Sequence, residues 1–268
     1  MNNMIYGTAW KKEETTRLVS EALKLGFRAI DTACQPKHYR EDLVGVALAK
    51  AFLEGLKRED VFIQTKFTPI DGQDRNNMPY NENDDILTKL DKSFNRSKEN
   101  LKVDFIDSYL IHSPFAPIED FIAVYKRMEE LVELGQVGQI GLSNCYDLKL
   151  LSYVYNNAKI KPKVLQNRFY RDSNYDKVLR EFCTQNEITY QSFWSLSANP
   201  NILASDEVVS IAKKYDKSAP QILYKFLNQI NITPLNGTTS KVHMKEDLEI
   251  IHFDLEEKEI SSILKLLS

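Results

Sequence analysis

The chain has 268 residues, 35 basic and 38 acidic side chains, a formal net charge of -3 and 43% hydrophobic residues. That balance excludes wholesale disorder and gives no electrostatic case for a nucleic-acid or membrane surface. No apolar run approaches the about 18 residues of a membrane span, and the first residues carry no apolar signal core. Short apolar runs at 5–7, 28–32, 61–66, 105–112, 137–143, 164–167, 188–193 and 230–235 read as strands. Amphipathic stretches alternate with them. In the first, Leu18, Ala22 and Leu25 share a face behind a polar start at 11–14. The others are 41–56, 84–101, 118–134, 146–157, 175–186, 206–215 and 219–229, with a closing helix at 255–267. Several strands are continuously apolar, as strands covered on both faces are.

Eight strand–helix units over about 250 residues are the expectation for a (β/α)8 TIM barrel, read here as one domain over 1–268. A doubly wound sheet is the rival arrangement. The segment 68–84 is too long and polar for a plain connection, and in a barrel it would stand on the C-terminal rim. Cys34, Cys145 and Cys183 are odd in number and scattered, which fits a reduced, cytoplasmic compartment better than a disulfide framework or a zinc site.

The strand ends carry polar groups: Asp31, Lys66, His112, Ser143 and Asn144, Gln166 and Asn167. Each alone is compatible with a solvated rim residue or a structural ion pair. An aspartate, a lysine and a histidine converging on one barrel mouth would perturb one another's protonation, as catalytic groups do.

These residues sit in segments that resemble the aldo-keto reductase family. Residues 30–45, IDTACQPKHYREDLVG, resemble its signature of a strand end, a catalytic tyrosine and a helix containing Glu and Val-Gly. YLIHSP at 109–114 resembles the strand ending in its catalytic histidine, and VGQIGLSN at 137–144 its nicotinamide segment. The Gln166-Asn167 pair and the opening Gly7-Thr8-Ala9-Trp10 also match, in the family's order. The resemblance implies a catalytic tetrad of Asp31, Tyr39, Lys66 and His112. In it a lysinium lowers the tyrosine pKa from about 10, the aspartate orients the lysine, and the histidine polarises the carbonyl or relays the proton. The segment is two residues longer than the usual pattern, so counting from Asp31 gives Pro36 and counting back from Val44-Gly45 gives His38. Tyr39 is the tyrosine of the segment and is taken as the acid.

No strand is followed by the G-x-G-x-x-G of a Rossmann site. The resemblance instead implies an extended nicotinamide cofactor on the barrel rim. Ser143, Asn144 and Gln166 would hold its carboxamide, with Phe193, or Trp194 as second choice, stacked on the ring. Gly7, Thr8, Ala9 and Leu196 would complete that side. The last βα loop departs from the family's Ile-Pro-Lys-Ser and following arginine. Here Leu235 replaces the lysine and His243 falls near the arginine's place. Thr238, Thr239 and Ser240, with Lys241, are left to accept phosphate at a helix start, and Glu246 and Asp247 fall where adenine contacts are usual. NADPH is favoured by a modest margin, with NADH as the alternative.

The implied reaction is reduction of small aldehydes and ketones by hydride transfer, in a monomer without nucleic-acid or membrane partners. Ser113 replaces a tryptophan that commonly walls the pocket, and the chain ends at Ser268 without a covering tail, so an open site is expected. The segment 68–84, with Met78 and Tyr80, is the candidate lid. Two other readings are a catalytically silent NAD(P)H-binding barrel acting as a sensor and a metal-dependent hydrolase using Asp31 and His112.

Overall fold

The computed structural model describes residues 3–267; Met1, Asn2 and Ser268, at the two ends of the expected domain, lie outside them. Eight parallel strands close into a barrel in chain order: β1 (Ile5–Gly7), β2 (Ala29–Asp31), β3 (Phe62–Phe67), β4 (Ile106–Ile111), β5 (Val137–Ser143), β6 (Val164–Arg168), β7 (Thr189–Phe193) and β8 (Ile232–Asn236). The seam is β1 against β8, with Ile5 opposite Leu235 and Tyr6 opposite Asn236. Around it run α1 (Thr15–Leu25), α2 (Glu41–Leu53), α3 (Ile86–Leu101), α4 (Ile118–Glu133), α5 (Leu148–Asn157), α6 (Lys177–Gln185), α7 (Pro200–Leu203), α8 (Asp206–Tyr215), α9 (Ala219–Gln229), α10 (Lys241–Leu248) and α11 (Glu257–Leu264). The main core fills the space between strands and helices, with Leu18, Leu48, Leu90, Val124, Leu151 and Ile222 buried from α1 to α5 and α9.

The expected elements are all present, with shifted ends set by caps. Asp85 accepts from the Thr88 amide, so α3 begins at Ile86 rather than at 84. In α9, Ser218 and Gln221 form a reciprocal capping box, with Pro220 in the first turn. The helix α10 was not among the expected elements. Its eight residues carry no apolar stripe, burying only Met244 and Asp247, so periodicity has nothing to detect.

Two local features position the site. Helix α2 packs tightly on the end of α3, where any side chain at Gly45 would collide with the Asn100 carbonyl. Glu41, the first residue of α2, is buried and accepts from Thr65 (2.5 Å), Ser97 (3.1 Å) and Asn100 (3.2 Å), which ties the helix start to β3. The segment 68–84 is fastened down. Tyr80 is buried and donates its hydroxyl to the Thr68 carbonyl at 2.8 Å, Gln73 donates to the Cys34 carbonyl at 2.9 Å, and Gln35 donates to the Gly72 carbonyl at 2.6 Å. No residue from 69 to 84 lines the catalytic cavity. The expectation that Met78 and Tyr80 form a lid is therefore corrected: both pack into the core, where their apolar surface is satisfied.

Candidate active site

Strand register builds the centre. Asp31 lies opposite Gln64, Gln64 opposite Ser108, and Gln166 opposite Gln191. Side chains alternate along a strand, so Gln64 and Lys66 share the inward face of β3. The result is a polar layer inside the barrel. Lys66 Nζ donates to both Asp31 oxygens at 2.7 Å and to the Thr32 carbonyl at 2.8 Å. Asp31 Oδ1 also accepts from Gln64 Nε2 (2.8 Å) and Gln166 Nε2 (2.9 Å). Both amides donate their second hydrogen to Gln191 Oε1, and Ser108 donates to Gln64 Oε1 at 2.8 Å. Lys66 and Asp31 are both buried, so this is a desolvated ion pair with its remaining lone pairs occupied, the condition under which such a pair is tolerated. Burial pulls the lysine's pKa down, and Asp31 opposes that.

Tyr39 comes to this pair from a tight turn. The Gln35 carbonyl accepts from both the His38 and Tyr39 amides at 3.0 Å, which takes up the two extra residues of the segment. The Tyr39 ring centroid lies 5.6 Å from Lys66 Nζ and 5.9 Å from the His112 ring, in an edge-on contact. His38 turns away. Its ring stacks on Trp10 at 3.9 Å, and the His38 carbonyl accepts from the Trp10 amide at 2.7 Å. In the free protein burial, with Asp31 adding, pushes the Tyr39 pKa up. Asp31 and Thr32 take the hydrogen bonds of Lys66 and hold its ammonium beside the Tyr39 ring.

His112 Nδ1 lies 2.7 Å from the Thr68 hydroxyl. Burial, then Lys66, then His38 hold the imidazole well below its ordinary pKa, so it is neutral at pH 7. Asn144 Nδ2 donates to the His112 carbonyl at 2.8 Å, with Asn144 itself in the left-handed region at φ 51°.

Above this centre opens a cavity of about 1100 Å³. Of the expected residues, Asp31, Tyr39, His112, Gly7, Ala9, Ser143, Asn144, Gln166, Phe193, Trp194, Leu196, Thr238, Thr239, His243, Glu246 and Asp247 line it. Gln166 spends both amide hydrogens on the layer below, which leaves its oxygen as an acceptor. Asp247 is buried, accepts from Asn236 Nδ2, and is pushed up to about 7 by burial and by Glu246. Four expected residues stand apart. Lys66 lies beneath the cavity, buried. Thr8 turns its hydroxyl inward to the Asp31 carbonyl at 2.9 Å, the backbone partner nearest to it. Ser240 caps α10, accepting from the His243 amide at 3.4 Å. Lys241 pairs with Glu21 at 3.5 Å outside the cavity.

Sequence reading missed Gln64, Gln191, Thr68, Lys11 and Arg168. Gln64 and Gln191 stand two residues before Lys66 and Phe193 on the same strands, but their meeting depends on the register between strands. Arg168 stacks over Trp194 at 4.2 Å and Tyr170 at 5.1 Å on the cavity wall, and nothing in its spacing marks that.

The family described as "Aldo/keto reductase family" matches residues 3–268. The chain is 28% identical over 250 residues to glyoxal reductase of Bacillus subtilis, covering 93% of this chain and 82% of that protein. It is 28% identical over 298 residues to the NAD(P)H-dependent D-xylose reductase of Scheffersomyces stipitis, covering 96% and 88%. Among solved structures, an aldo-keto reductase from a Medee basin deep-sea metagenome library superimposes with a TM-score of 0.84 at 29% identity, over 99% of this chain and 91% of that one. With a closed eight-stranded barrel and a match spanning nearly every residue, the chain belongs to the aldo/keto reductase family.

Proposed function

We propose that this protein reduces small aldehydes and ketones to alcohols, with NADPH as hydride donor and Tyr39 as proton donor. The observation that carries the reading is the meeting of Tyr39, His112 and the Asp31–Lys66 pair at the floor of one long cavity. The residues present fit a dinucleotide. Gln166 offers an unspent amide oxygen beside Ser143 and Asn144, Phe193 offers a ring, and Thr238 and Thr239 offer hydroxyls at the far end. Bound there, the nicotinamide supplies a hydride; the rest of the chemistry belongs to the chain.

As hydride adds to a carbonyl carbon, negative charge develops on oxygen. Tyr39 keeps its proton in the free protein because burial raises its pKa, and an alkoxide is a strong enough base to take it. The Asp31–Lys66 pair fixes a positive centre below the ring that favours the phenolate then formed. On this reading His112 is the Nε2–H tautomer, with Thr68 donating to Nδ1, so that the neutral imidazole presents a donor to the carbonyl oxygen. With the residues intact and converging, turnover is favoured over a silent sensor. The protein works as a single-domain monomer on this reading. The three free, buried cysteines suit a reducing cytoplasm.

Substrate breadth follows from the walls. Ser113 is not among the residues that line the cavity, and the segment 68–84 is fastened away from it, so small activated carbonyls bind without strong selection. Cofactor preference is modest because Leu235 and His243 put no permanent cation at the usual 2′-phosphate positions and Lys241 pairs with Glu21. Two charge-assisted phosphate bonds are worth roughly 1.5–3 kcal/mol each. Dissociation constants for NADPH and NADH, measured side by side by fluorescence, will show tighter binding of NADPH by less than about a thousandfold. A larger ratio would mean a strong 2′-phosphate site elsewhere; no binding of either would remove the reading.

A further inference from the structure

Arg168 is a cation on the cavity wall without an anion. It is the last residue of β6 and lines the cavity with Phe193 and Trp194. Its guanidinium lies over the Trp194 ring at 4.2 Å and the Tyr170 ring at 5.1 Å. Tyr170 meets the Tyr146 ring edge-on at 6.3 Å, and the Tyr146 hydroxyl accepts from the Arg168 amide at 3.0 Å. Trp194 is exposed and held in the left-handed region at φ 56°, a conformation that a bulky residue adopts only where its surroundings enforce it. Three aromatic side chains thus hold one half-buried arginine. Among the described residues no carboxylate lies within ion-pair distance of it, and its Nε is buried without a hydrogen-bond partner. Arg40, Arg58 and Arg127, by contrast, all reach carboxylates. A buried donor left unpaired is costly, and stacking on rings covers the flat of a guanidinium while leaving its in-plane donors unused.

The strand order says which ligand brings that anion. Side chains alternate along β6, so Arg168 shares the face of Gln166, whose amide reaches Asp31 at the cavity floor. Two residues at about 3.3 Å each set Arg168 roughly 7 Å further out along the strand. Across the sheet it stands opposite Phe193, the ring offered to the nicotinamide. Thr238, Thr239, Glu246 and Asp247, toward which the rest of a dinucleotide runs, belong to the β8 loop and α10. Strand β7 stands between β6 and β8. Arg168 is therefore on the far side of the nicotinamide position from the cofactor's phosphates, and its anion comes with the substrate.

We propose that Arg168 is a substrate-binding residue that pairs with an oxyanion, a carboxylate or a phosphate, carried by the carbonyl substrate several bonds from its reacting carbon. The proposal rests on the carbonyl-reductase reading and narrows its substrate class: the walls select little by shape, and Arg168 selects by charge. A planar guanidinium donates two parallel N–H bonds to either oxyanion, and its stacking on Trp194 holds that fork in place before the substrate arrives.

The test compares kcat/KM, with NADPH as reductant, within two matched pairs: para-carboxybenzaldehyde against its methyl ester, and glyceraldehyde phosphate against glyceraldehyde. Wild type is expected to favour the anionic member of at least one pair by about 10–100-fold, the range of a charge-assisted bond, and the pair with the larger ratio identifies the oxyanion. In Arg168→Met that ratio should fall to near one through a higher KM for the anionic member, while Arg168→Lys keeps part of it. Added salt should shrink the ratio in wild type and leave it flat in Arg168→Met. NADPH dissociation constants should agree within a few-fold between the two proteins. Should Arg168→Met not fold, Arg168→Gln takes its place. Ratios near one in both pairs for wild type overturn the proposal, as does a ratio that survives in the neutral variant. Weaker NADPH binding with the ratios unchanged also overturns it, because the arginine then serves the cofactor. Absence of turnover with every carbonyl, the uncharged ones included, overturns the reductase reading and the proposal together.

Discussion

At Thr68 one hydroxyl lies 2.7 Å from His112 Nδ1 and sets the angle of the imidazole. The contact is made from the residue just past β3, and a hydroxyl there serves either tautomer. Replacing Thr68 with valine keeps the shape and removes the hydrogen-bond partner. A neutral hydrogen bond is worth about 0.5–1.5 kcal/mol, so turnover should fall several-fold with cofactor affinity unchanged. Thr68→Ser should recover most of it. Equal turnover in Thr68→Val and wild type would mean that another partner orients His112. His38 is the contrasting case. It stands next to Tyr39 in sequence, yet its stacking on Trp10 at 3.9 Å takes it out of the tetrad.

Strands β2, β3, β4, β6 and β7 supply the polar layer, and the layer is the element-scale device that keeps Asp31 and Lys66 in place. Gln191 is its hub, accepting from Gln64 at 2.7 Å and Gln166 at 2.9 Å. Gln191→Leu would leave two buried amide hydrogens without acceptors, at a cost of about 1–3 kcal/mol. The melting temperature should fall by about 5 °C, and the pH dependence of turnover should change as Asp31 loses its fixed setting. An unchanged melting temperature would show that the layer is redundant. The legible and illegible parts of the molecule divide at this scale. Asp31, Lys66 and His112 were readable because each ends an apolar run, and the three together point to one barrel mouth. Gln64 and Gln191 lie inside such runs, and only the register, which the chain does not spell out, brings them together. The helix α10 buries too little to show a period, and the anchoring of 68–84 depends on Gln35 and Cys34, residues more than thirty positions away. Thr8 matched its motif, but its hydroxyl took the nearer backbone acceptor.

For the molecule as a whole, the neutral state of His112 links catalysis to stability. Its folded pKa lies well below the ordinary value of about 6.5, because of burial and then Lys66. Below pH 6.5 the unfolded chain takes a proton at this position that the folded chain does not. Stability is therefore present above that pH and is lost as the pH falls toward the folded pKa, by up to about 1.4 kcal/mol per unit. Asp247, raised to about 7, acts in the opposite sense, gaining stability as the pH falls through 7. Comparing variants isolates the histidine: between pH 7.5 and 5.5, wild type should lose about 1 kcal/mol more unfolding free energy than His112→Gln in denaturant titrations. The same loss in both would mean that His112 is protonated in the fold.

The barrel, the cavity and the buried pair all serve one claim, that the Tyr39 hydroxyl delivers the proton while a nicotinamide delivers the hydride. Tyr39→Phe removes that one oxygen and leaves the ring between Lys66 and His112. The direct measurement is oxidation of NADPH with a small activated aldehyde by wild type, Tyr39→Phe and His38→Ala, with cofactor affinity determined for each. The account predicts turnover in wild type and in His38→Ala, a fall of about 10²–10⁴-fold in Tyr39→Phe, and unchanged NADPH binding in that variant. Near wild-type turnover in Tyr39→Phe, with His38→Ala inactive, would contradict it.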